Sequence, residues 1–181
     1  MIELAYFTRE DFKPLMQWVQ SEAFMIQWAG STFEFPLHVY QLEQYIKGAN
    51  QPAADTFAYK VIYEETGEVI GHLSLKLDRR NDSARIGKVL IGEEAMRGRG
   101  IGLQLIEAAA DLAFRICKVH RVSLGVFDFN DAAIACYEKA GFQKEGLLRD
   151  VRKCGNDYWS LWEMSLLEEE WKRRKKGEEV E

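Results

Sequence analysis

A glycine-rich turn is the segment of this 181-residue chain whose residue types point most directly to chemistry. Residues 84–91 read as a β-strand, an amphipathic helix follows, and between them the chain runs Arg97-Gly-Arg-Gly-Ile-Gly102. Glycines let a backbone approach a ligand closely, and the start of a helix attracts anions. Arg97 and Arg99 add positive charge suited to phosphate oxygens. The turn therefore predicts a phosphate or pyrophosphate site.

Other uses of such a turn fit the sequence less well. A Walker A loop needs a Gly-Lys-Ser/Thr sequence, which does not follow here. A dinucleotide fingerprint that starts at Gly98 requires a third glycine where Leu103 stands. An RNA-binding Arg-Gly segment is disordered, whereas this one lies between a strand and a helix. A glycine-rich turn with a purely structural role stays open as the alternative.

A second motif lies downstream and reads Asn130-Asp-Ala-Ala-Ile-Ala-Cys-Tyr-Glu-Lys-Ala-Gly-Phe142. Together the two motifs resemble the GNAT superfamily of acetyl-CoA-dependent N-acetyltransferases, with its patterns Arg/Gln-x-x-Gly-x-Gly/Ala and Asn-x-x-Ala-x-x-x-Tyr-x-x-x-Gly-Phe. The matching residues are Arg97, Gly100, Gly102, Asn130, Ala133, Tyr137, Gly141 and Phe142. Residues 145–150 and 164–167 further resemble the branch that contains ribosomal-protein alanine and spermidine acetyltransferases.

The resemblance implies acetyl-CoA as the co-substrate. Its pyrophosphate is then expected on the turn, and its pantetheine arm along the preceding strand, where it pairs with the backbone in a splay of the sheet. Asn130 is expected near the pantetheine or, equally, as the N-cap of its own helix. The cofactor-binding residues implied in this way are Leu90, Ile91, Gly92, Arg97, Gly98, Arg99, Gly100, Ile101, Gly102, Leu103 and Asn130.

The resemblance also places Tyr137 near the thioester sulfur, where a phenol can protonate the departing thiolate. The implied reaction is direct attack of an amine on the acetyl carbonyl, whose oxygen a backbone N–H near Ile91 or Gly92 would hold. An alkylamine has a pKa of about 10 and must first lose a proton. The strand before the turn carries no acid. The candidates for the base are therefore Glu93, Glu94, His72 and a chain of water molecules.

Aromatic residues of the first half and of the last hairpin are candidates for an acceptor pocket, because rings can hold a cationic amine. They are Phe24, Trp28, Phe33 and Tyr158, and His72 is a polar candidate. We expect the acceptor to be a small polyamine-like or aminoglycoside-like amine or a peptide N-terminus, and the acid excess of residues 1–96 favours a cation. Ser160 stands where related sequences often carry Asp, which weakens the inference that their acceptors are shared.

Hydrophobic periodicity and turn residues predict the elements that position these side chains. In order they are a strand at 2–7, helices after Thr8 and from Pro36, strands at 57–64, 68–77 and 84–91, a helix after 102, a strand at 121–127, a helix from 130 to about 140 and a hairpin at 142–166. Segment 24–36 is expected to be irregular. The order β-α-α-β-β-β-α-β-α-β-β predicts an α/β fold with a mixed, mostly antiparallel β-sheet. The resemblance implies that this sheet is GNAT-like and flanked by helices on both faces.

Length and composition predict a single acetyltransferase-like domain over residues 1–170 and a charged, frayed helical tail at 171–181. A net charge of −5 disfavours nucleic acid, and no apolar run reaches the ~18 residues of a membrane span. Three cysteines without paired spacing predict reduced thiols, no metal site and a cytoplasmic location. A homodimer, and a non-catalytic acyl-CoA or partner sensor on the same fold, stay open.

Overall fold

The computed structural model describes residues 1–96 and 98–178, and a seven-stranded sheet runs through this part of the chain. The strands are β1 (Ile2–Tyr6), β2 (Thr56–Tyr63), β3 (Glu68–Asp78), β4 (Ser83–Ile91), β5 (Arg121–Phe127), β6 (Gln143–Cys154) and β7 (Asp157–Leu167). Their spatial order is β1-β2-β3-β4-β5-β7-β6. Among the pairings of the described strands, β4 with β5 is parallel and the others are antiparallel. The predicted mixed, mostly antiparallel sheet is confirmed.

Helices cover both faces of this sheet. They are α1 (Phe12–Trp18), α2 (Glu22–Ala29), α3 (Val39–Ile46), α4 (Ile101–Asp111), α5 (Asp131–Lys139) and α6 (Glu168–Glu178), and the π-helical segment Leu112–Ile116 continues α4. Two separate apolar clusters divide the core: Ala58 of β2 packs with Leu15 and Leu42 below α1–α3, whereas its neighbour Tyr59 packs with Leu105 below α4. Adjacent strand residues point to opposite faces, so the predicted two-sided arrangement is confirmed. None of these helices combines the length and the apolar composition that a membrane span requires.

The sheet opens between β4 and β5. The two strands pair from Ser83 to Arg85 of β4 against Arg121 to Ser123 of β5, and beyond Arg85 they part. A β-bulge at Lys88 contributes to the opening: the register between β3 and β4 shifts there, and Lys88 has φ +49°. A bulge bends its strand and increases the local twist. The opening leaves space for a ligand between two neighbouring strands.

Segment 24–36 is not irregular throughout, because α2 runs into it. The side chain of Ser21 accepts a hydrogen bond from the amide of Phe24 (3.1 Å) and caps the start of α2. The helix is apolar on several sides and so lacks the 3.6-residue alternation by which a surface helix is recognised. Helix α3 begins at Val39 rather than at Pro36. The prediction missed α2 because its apolar side chains do not form a single stripe.

Residues 168–178 form α6, which packs against the domain instead of fraying, and residues 179–181 of the predicted tail lie outside the described residues. Trp171 stacks on Phe114 with a centroid distance of 5.3 Å, and its Nε1 donates a hydrogen bond to Asp111 (2.7 Å). The guanidinium of Arg115 lies over the same indole at 5.2 Å. Helix α6 begins at Glu168 and crosses the predicted boundary at residue 170. Trp171 is the aromatic contact of this helix with the domain, and Arg174 adds a hydrogen bond to the Lys139 carbonyl (2.6 Å). A run of charges does not predict such contacts.

Candidate active site

Cavities lined by the described residues follow one another through the opening between β4 and β5. The middle cavity lies between α2, the bulged part of β4 and Tyr137 of α5. It shares Val89 and Tyr137 with a cavity on the side of α4 and α5, which we call the α4-side cavity. It shares Trp28 and Lys88 with a cavity below α2, which we call the α2-side cavity. Together the three cavities form a passage from one face of the sheet to the other.

The glycine-rich turn lies at the α4-side cavity, which Gly98 and Gly102 line. Gly98 and Gly100 have φ +73° and +78°, a left-handed conformation that glycine adopts without steric cost. The hydrogen bond that opens α4 runs from the Gln104 amide to the Gly100 carbonyl (3.2 Å), and no side chain caps the helix. The amides of residues 101–103 precede that bond and point out of the helix start, where they can donate to an anion.

The sequence of the turn carries two arginines. Arg97 lies outside the described residues. Arg99 is exposed, and its Nη1 lies 3.4 Å from the sulfur of Met96. A Cβ added at Gly98 or Gly100 would meet no protein atom within 4 Å. The outer side of the turn is therefore open to a ligand.

At the end of β4, successive backbone amides point to opposite sides of the strand. The Gly92 amide donates to the carbonyl of Ile70 on the β3 side (2.8 Å), which commits it to the sheet instead of to a carbonyl oxygen in the cavity. Amides alternate along a strand, so the N–H of Ile91 is directed away from β3, toward the opening. Leu90 is buried below α1–α3. A Cβ on Gly92 would overlap the ring of Trp18, so packing already requires glycine there.

Tyr137 lies where the middle and α4-side cavities join. Its side chain is 9% exposed, and burial raises the pKa of the phenol above its ordinary value, so the hydroxyl stays protonated at neutral pH. No residue of the described ranges forms a hydrogen bond with this hydroxyl. Asn130 lines the same two cavities while its Oδ1 caps α5 by accepting from the Ala133 amide (3.2 Å). The N-cap role of Asn130 is thus observed, and its place beside the pantetheine arm stays a prediction that its position in the two cavities allows.

No carboxylate of the described ranges lines any part of the passage. Glu93 accepts a hydrogen bond from Nε1 of Trp18 (3.3 Å), and Glu94 starts a short helical turn outside the cavities. Cys136 does line the α4-side cavity, but burial raises the pKa of its thiol. A protonated thiol is a poor nucleophile. The arrangement favours direct attack by an acceptor over transfer through a cysteine.

Trp28 is the predicted acceptor residue that contributes most to the passage. Its Nε1 donates to the carbonyl of the bulge residue Lys88 (2.8 Å), which ties α2 to the opened strand. Phe24 lies one turn earlier and lines the middle cavity. Phe33 stacks on Trp28 with a centroid distance of 5.6 Å and is buried behind it. Phe33 therefore supports the wall without forming it.

Neither His72 nor Tyr158 lines the passage, although His72 is buried directly behind Trp28 and Lys88. His72 is 1% exposed: its Nδ1 lies 3.1 Å from the Lys88 carbonyl oxygen and its Nε2 lies 3.4 Å from the Tyr45 hydroxyl. Burial lowers the pKa of His72 to about 4, so the ring is neutral at neutral pH. Tyr158 is 57% exposed and pairs with Lys153 at the end of the last hairpin. Neither residue occupies the acceptor pocket that the sequence suggested for it.

Four basic residues that sequence reasoning missed line the α2-side cavity. They are Lys76, Arg85, Lys88 and Arg152. Lys76 of β3 and Arg85 of β4 are cross-strand partners, so they share a face of the sheet. Because side chains alternate between the two faces along a strand, the sequence could have predicted that this pair lies on the face opposite the apolar residues. Arg152 comes from β6, and no local pattern indicated that it meets the others.

Comparison with known proteins assigns the family. The chain belongs to the acetyltransferase (GNAT) family, whose model matches residues 17–142. An uncharacterized N-acetyltransferase p20 from Bacillus licheniformis is 32% identical over 114 residues, which are 62% of this chain and 63% of that protein. The match thus spans slightly less than two thirds of that relative. The aminoglycoside N(6′)-acetyltransferase type 1 of Klebsiella pneumoniae is 24% identical over 155 residues, 80% of this chain and 75% of that enzyme.

A solved structure shares the fold. The spermidine N-acetyltransferase of Vibrio cholerae, in complex with CoA and spermine, superposes with a TM-score of 0.81 at 22% identity, over 94% of this chain and 97% of that one. At this identity the likeness concerns the fold. The predicted family and the predicted α/β architecture are confirmed. The members of this family are acyltransferases, and acetyl-CoA as the co-substrate is consistent with that membership.

Proposed function

We propose that this chain is an N-acetyltransferase that transfers the acetyl group of acetyl-CoA to a primary amine by direct attack. The observation that carries the proposal is the passage through the sheet. It opens at the glycine turn on one face and beside Trp28 on the other, and Tyr137 lies between. Two reactants that enter from opposite faces are held in one place, which converts a bimolecular step into an effectively unimolecular one.

The residues on the α4 side fit acetyl-CoA. The amides of residues 101–103 would bind the pyrophosphate at the start of α4. The edge of β4 beyond Arg85, which β5 leaves uncovered, would pair with the pantetheine arm. Acetyl-CoA supplies the acetyl group as a thioester. Tyr137 would donate its proton to the departing sulfur, and the proton that the attacking nitrogen releases on forming the amide would return to the phenolate through water.

The amine must arrive at the carbonyl as the neutral base. Since no carboxylate of the described ranges lines the passage, we infer that water carries away the proton that the ammonium loses. The cavities contain backbone carbonyls and side-chain amides that can order water. In this scheme Glu93 and Glu94 act outside the reacting centre.

The missing carboxylate also supports a second candidate function, a sensor that binds acyl-CoA without turnover. Two measurements separate the candidates. Calorimetric titration with acetyl-CoA should give saturable one-site binding with a Kd on the order of micromolar, and thiol release should then appear with at least one amine of a broad panel. Absence of binding at millimolar acetyl-CoA would refute both candidates. Binding without thiol release for any amine would favour the sensor.

The proposal extends to the cellular setting. The acceptor is a small-molecule amine or a peptide N-terminus, and the reaction takes place in the cytoplasm, which the unpaired thiols of Cys117, Cys136 and Cys154 support.

A homodimer is also part of the proposal, because β6 is an exposed edge strand whose Leu148 and Val151 face solvent. Light scattering that gives the monomer mass of 20.9 kDa at micromolar concentration would rule the dimer out.

A further inference from the structure

The α2-side cavity is cationic. Lys76, Arg85, Lys88 and Arg152 line it, together with neutral residues such as Gln27, and no acidic side chain of the described ranges does. Its position on the face opposite the glycine turn makes it the entrance for the acceptor in the proposed function. The cavity is positively charged, whereas the acid excess of the first half of the sequence suggested a site for a cation. The local charge of the cavity, rather than that of the half-chain, is what a bound acceptor experiences.

One of the four cations is already neutralised within the fold. Arg85 binds Glu163 of β7 through both ends of its guanidinium, with Nη2 3.0 Å from Oε2. For the other three, no carboxylate of residues 1–96 and 98–178 lies within the 4 Å of an ion pair. Lys76, Lys88 and Arg152 therefore carry a net positive charge into the cavity.

The two lysines are close enough to influence each other. Burial lowers the pKa of Lys88, and the positive charge of Lys76 lowers it further. The Lys88 ammonium lies 5.2 Å from the centre of the Tyr45 ring, a contact that stabilises the charge without cancelling it. Like charges held together inside a partly buried cavity are costly unless a counter-charge occupies it.

The guanidinium of Arg152 makes fewer hydrogen bonds to the described residues than its donors allow. Its Nε is buried without a hydrogen-bond partner among the described residues, and its Nη1 reaches only the Ser31 hydroxyl at 3.4 Å. The guanidinium lies against Gly30 at the end of α2, where a Cβ would be 3.6 Å from Nη2. Buried polar atoms without partners are rare in folded proteins. A guanidinium is the side chain that best binds two oxygens of one anion at once.

We propose that the acceptor of this enzyme carries an anionic oxygen group, a carboxylate or a phosphate, near its primary amine, and that Arg152 with Lys76 binds this group. The inference rests on the proposed N-acetyltransferase function and names its substrate class. The anion binds the guanidinium of Arg152 and offsets part of the positive charge of the lysines, so that a net positive charge remains in the cavity. The same positive charges disfavour an ammonium in the cavity, which helps the amine to enter the reaction neutral without a carboxylate base.

Matched pairs of amines that differ only in the anion test the proposal. Thiol release is measured with phenylalanine against phenethylamine, lysine against cadaverine, and phosphoethanolamine against ethanolamine, with spermidine as a polycation. A hydrogen-bonded charge pair contributes about 1.5–3 kcal/mol, so at least one anionic member should exceed its partner at least tenfold in kcat/KM. The amino-acid and phosphate pairs distinguish the two anions. A preference for the amines without an anion, or for spermidine, overturns the proposal and leaves the N-acetyltransferase function standing.

Variants of the basic residues locate the anion. In Arg152→Met the preference should fall toward one through a higher KM for the anionic member, and Arg152→Lys should restore part of it. Lys153→Met is the matched control, because Lys153 is the exposed neighbour on the same strand and lines none of these cavities. Lys76→Met, at an exposed strand position, repeats the test if Arg152→Met folds poorly. A preference that survives both substitutions refutes the assigned site.

Binding of the anion is measured separately from turnover. The preferred anionic amine of the panel, or phenylalanine if none is acetylated, is titrated calorimetrically into the protein and into Arg152→Met. Binding that the variant loses, together with thiol release from no amine, refutes the proposed function and supports the anion site. Thiol release from amines without an anion, together with no anion binding, refutes the anion site and supports the proposed function.

Discussion

Replacing Tyr137 by phenylalanine removes a single hydroxyl from the junction of two cavities. The ring packs near Phe142 with a centroid distance of 6.5 Å, and phenylalanine fills the same volume. No described residue loses a hydrogen bond, so the free energy of unfolding should change by less than about 1 kcal/mol. A positioned proton donor contributes about 10²–10⁴-fold to a rate. We therefore expect kcat to fall at least tenfold, about 1.4 kcal/mol in activation free energy.

The assay is thiol release at saturating acetyl-CoA and amine, together with calorimetric titration of acetyl-CoA, whose Kd should stay near the wild-type value. Tyr59→Phe is the control, because Tyr59 is a buried tyrosine of the core that lines none of the cavities. It should keep the wild-type kcat. A Tyr137→Phe enzyme with wild-type kcat, or an equal loss in the control, would refute the assignment of Tyr137 as the proton donor.

Three further predictions concern the turn, the last helix and the buried histidine. Gly100→Ala should weaken acetyl-CoA binding at least tenfold, since a left-handed residue with a Cβ costs about 1–2 kcal/mol and the methyl group faces the phosphates. Trp171→Ala should lower the free energy of unfolding by about 2–3 kcal/mol in denaturant titration, because α6 loses its aromatic anchor. The folded pKa of His72 is depressed to about 4, so stability present above pH 6.5 should be lost as pH falls toward 4, by about 3 kcal/mol. His72→Gln should flatten that dependence.

The turn and helix predictions each have a control variant within the chain. Gly67 has φ +73° in a hairpin turn with open surroundings, so Gly67→Ala carries the same strain without affecting acetyl-CoA binding. Arg173→Ala removes an exposed neighbour of Trp171 and should leave stability unchanged. Equal effects of the two glycine variants on binding would contradict the phosphate site. An unchanged pH dependence in His72→Gln would contradict a buried neutral ring.

The half of the site that faces the cofactor could be predicted because its residues are close together in the sequence. The turn at 97–102 requires glycine at positions of positive φ, and those glycines are visible without a structure. Asn130 caps the helix on which Tyr137 stands two turns later, so one local motif places both in the passage. The order of strands and helices followed from their periodicity, and helices on both faces followed from the resemblance to the family. These features depend on local backbone geometry, which neighbouring residues determine.

The acceptor half depends on contacts between distant segments, and only the tertiary structure decided it. His72 is a candidate ligand by its type, but the register of β3 and the packing of α3 bury it against Tyr45. Arg152 lines one cavity with Lys88 and lies against the end of α2, a helix that the pattern of apolar residues did not reveal. By itself the sequence determined the family, the order of most elements and the glycine-rich turn at the start of α4. The charge of the acceptor cavity arises from side chains on β3, β4 and β6, and which of them share a face is set by strand register and sheet order, which no local pattern encodes.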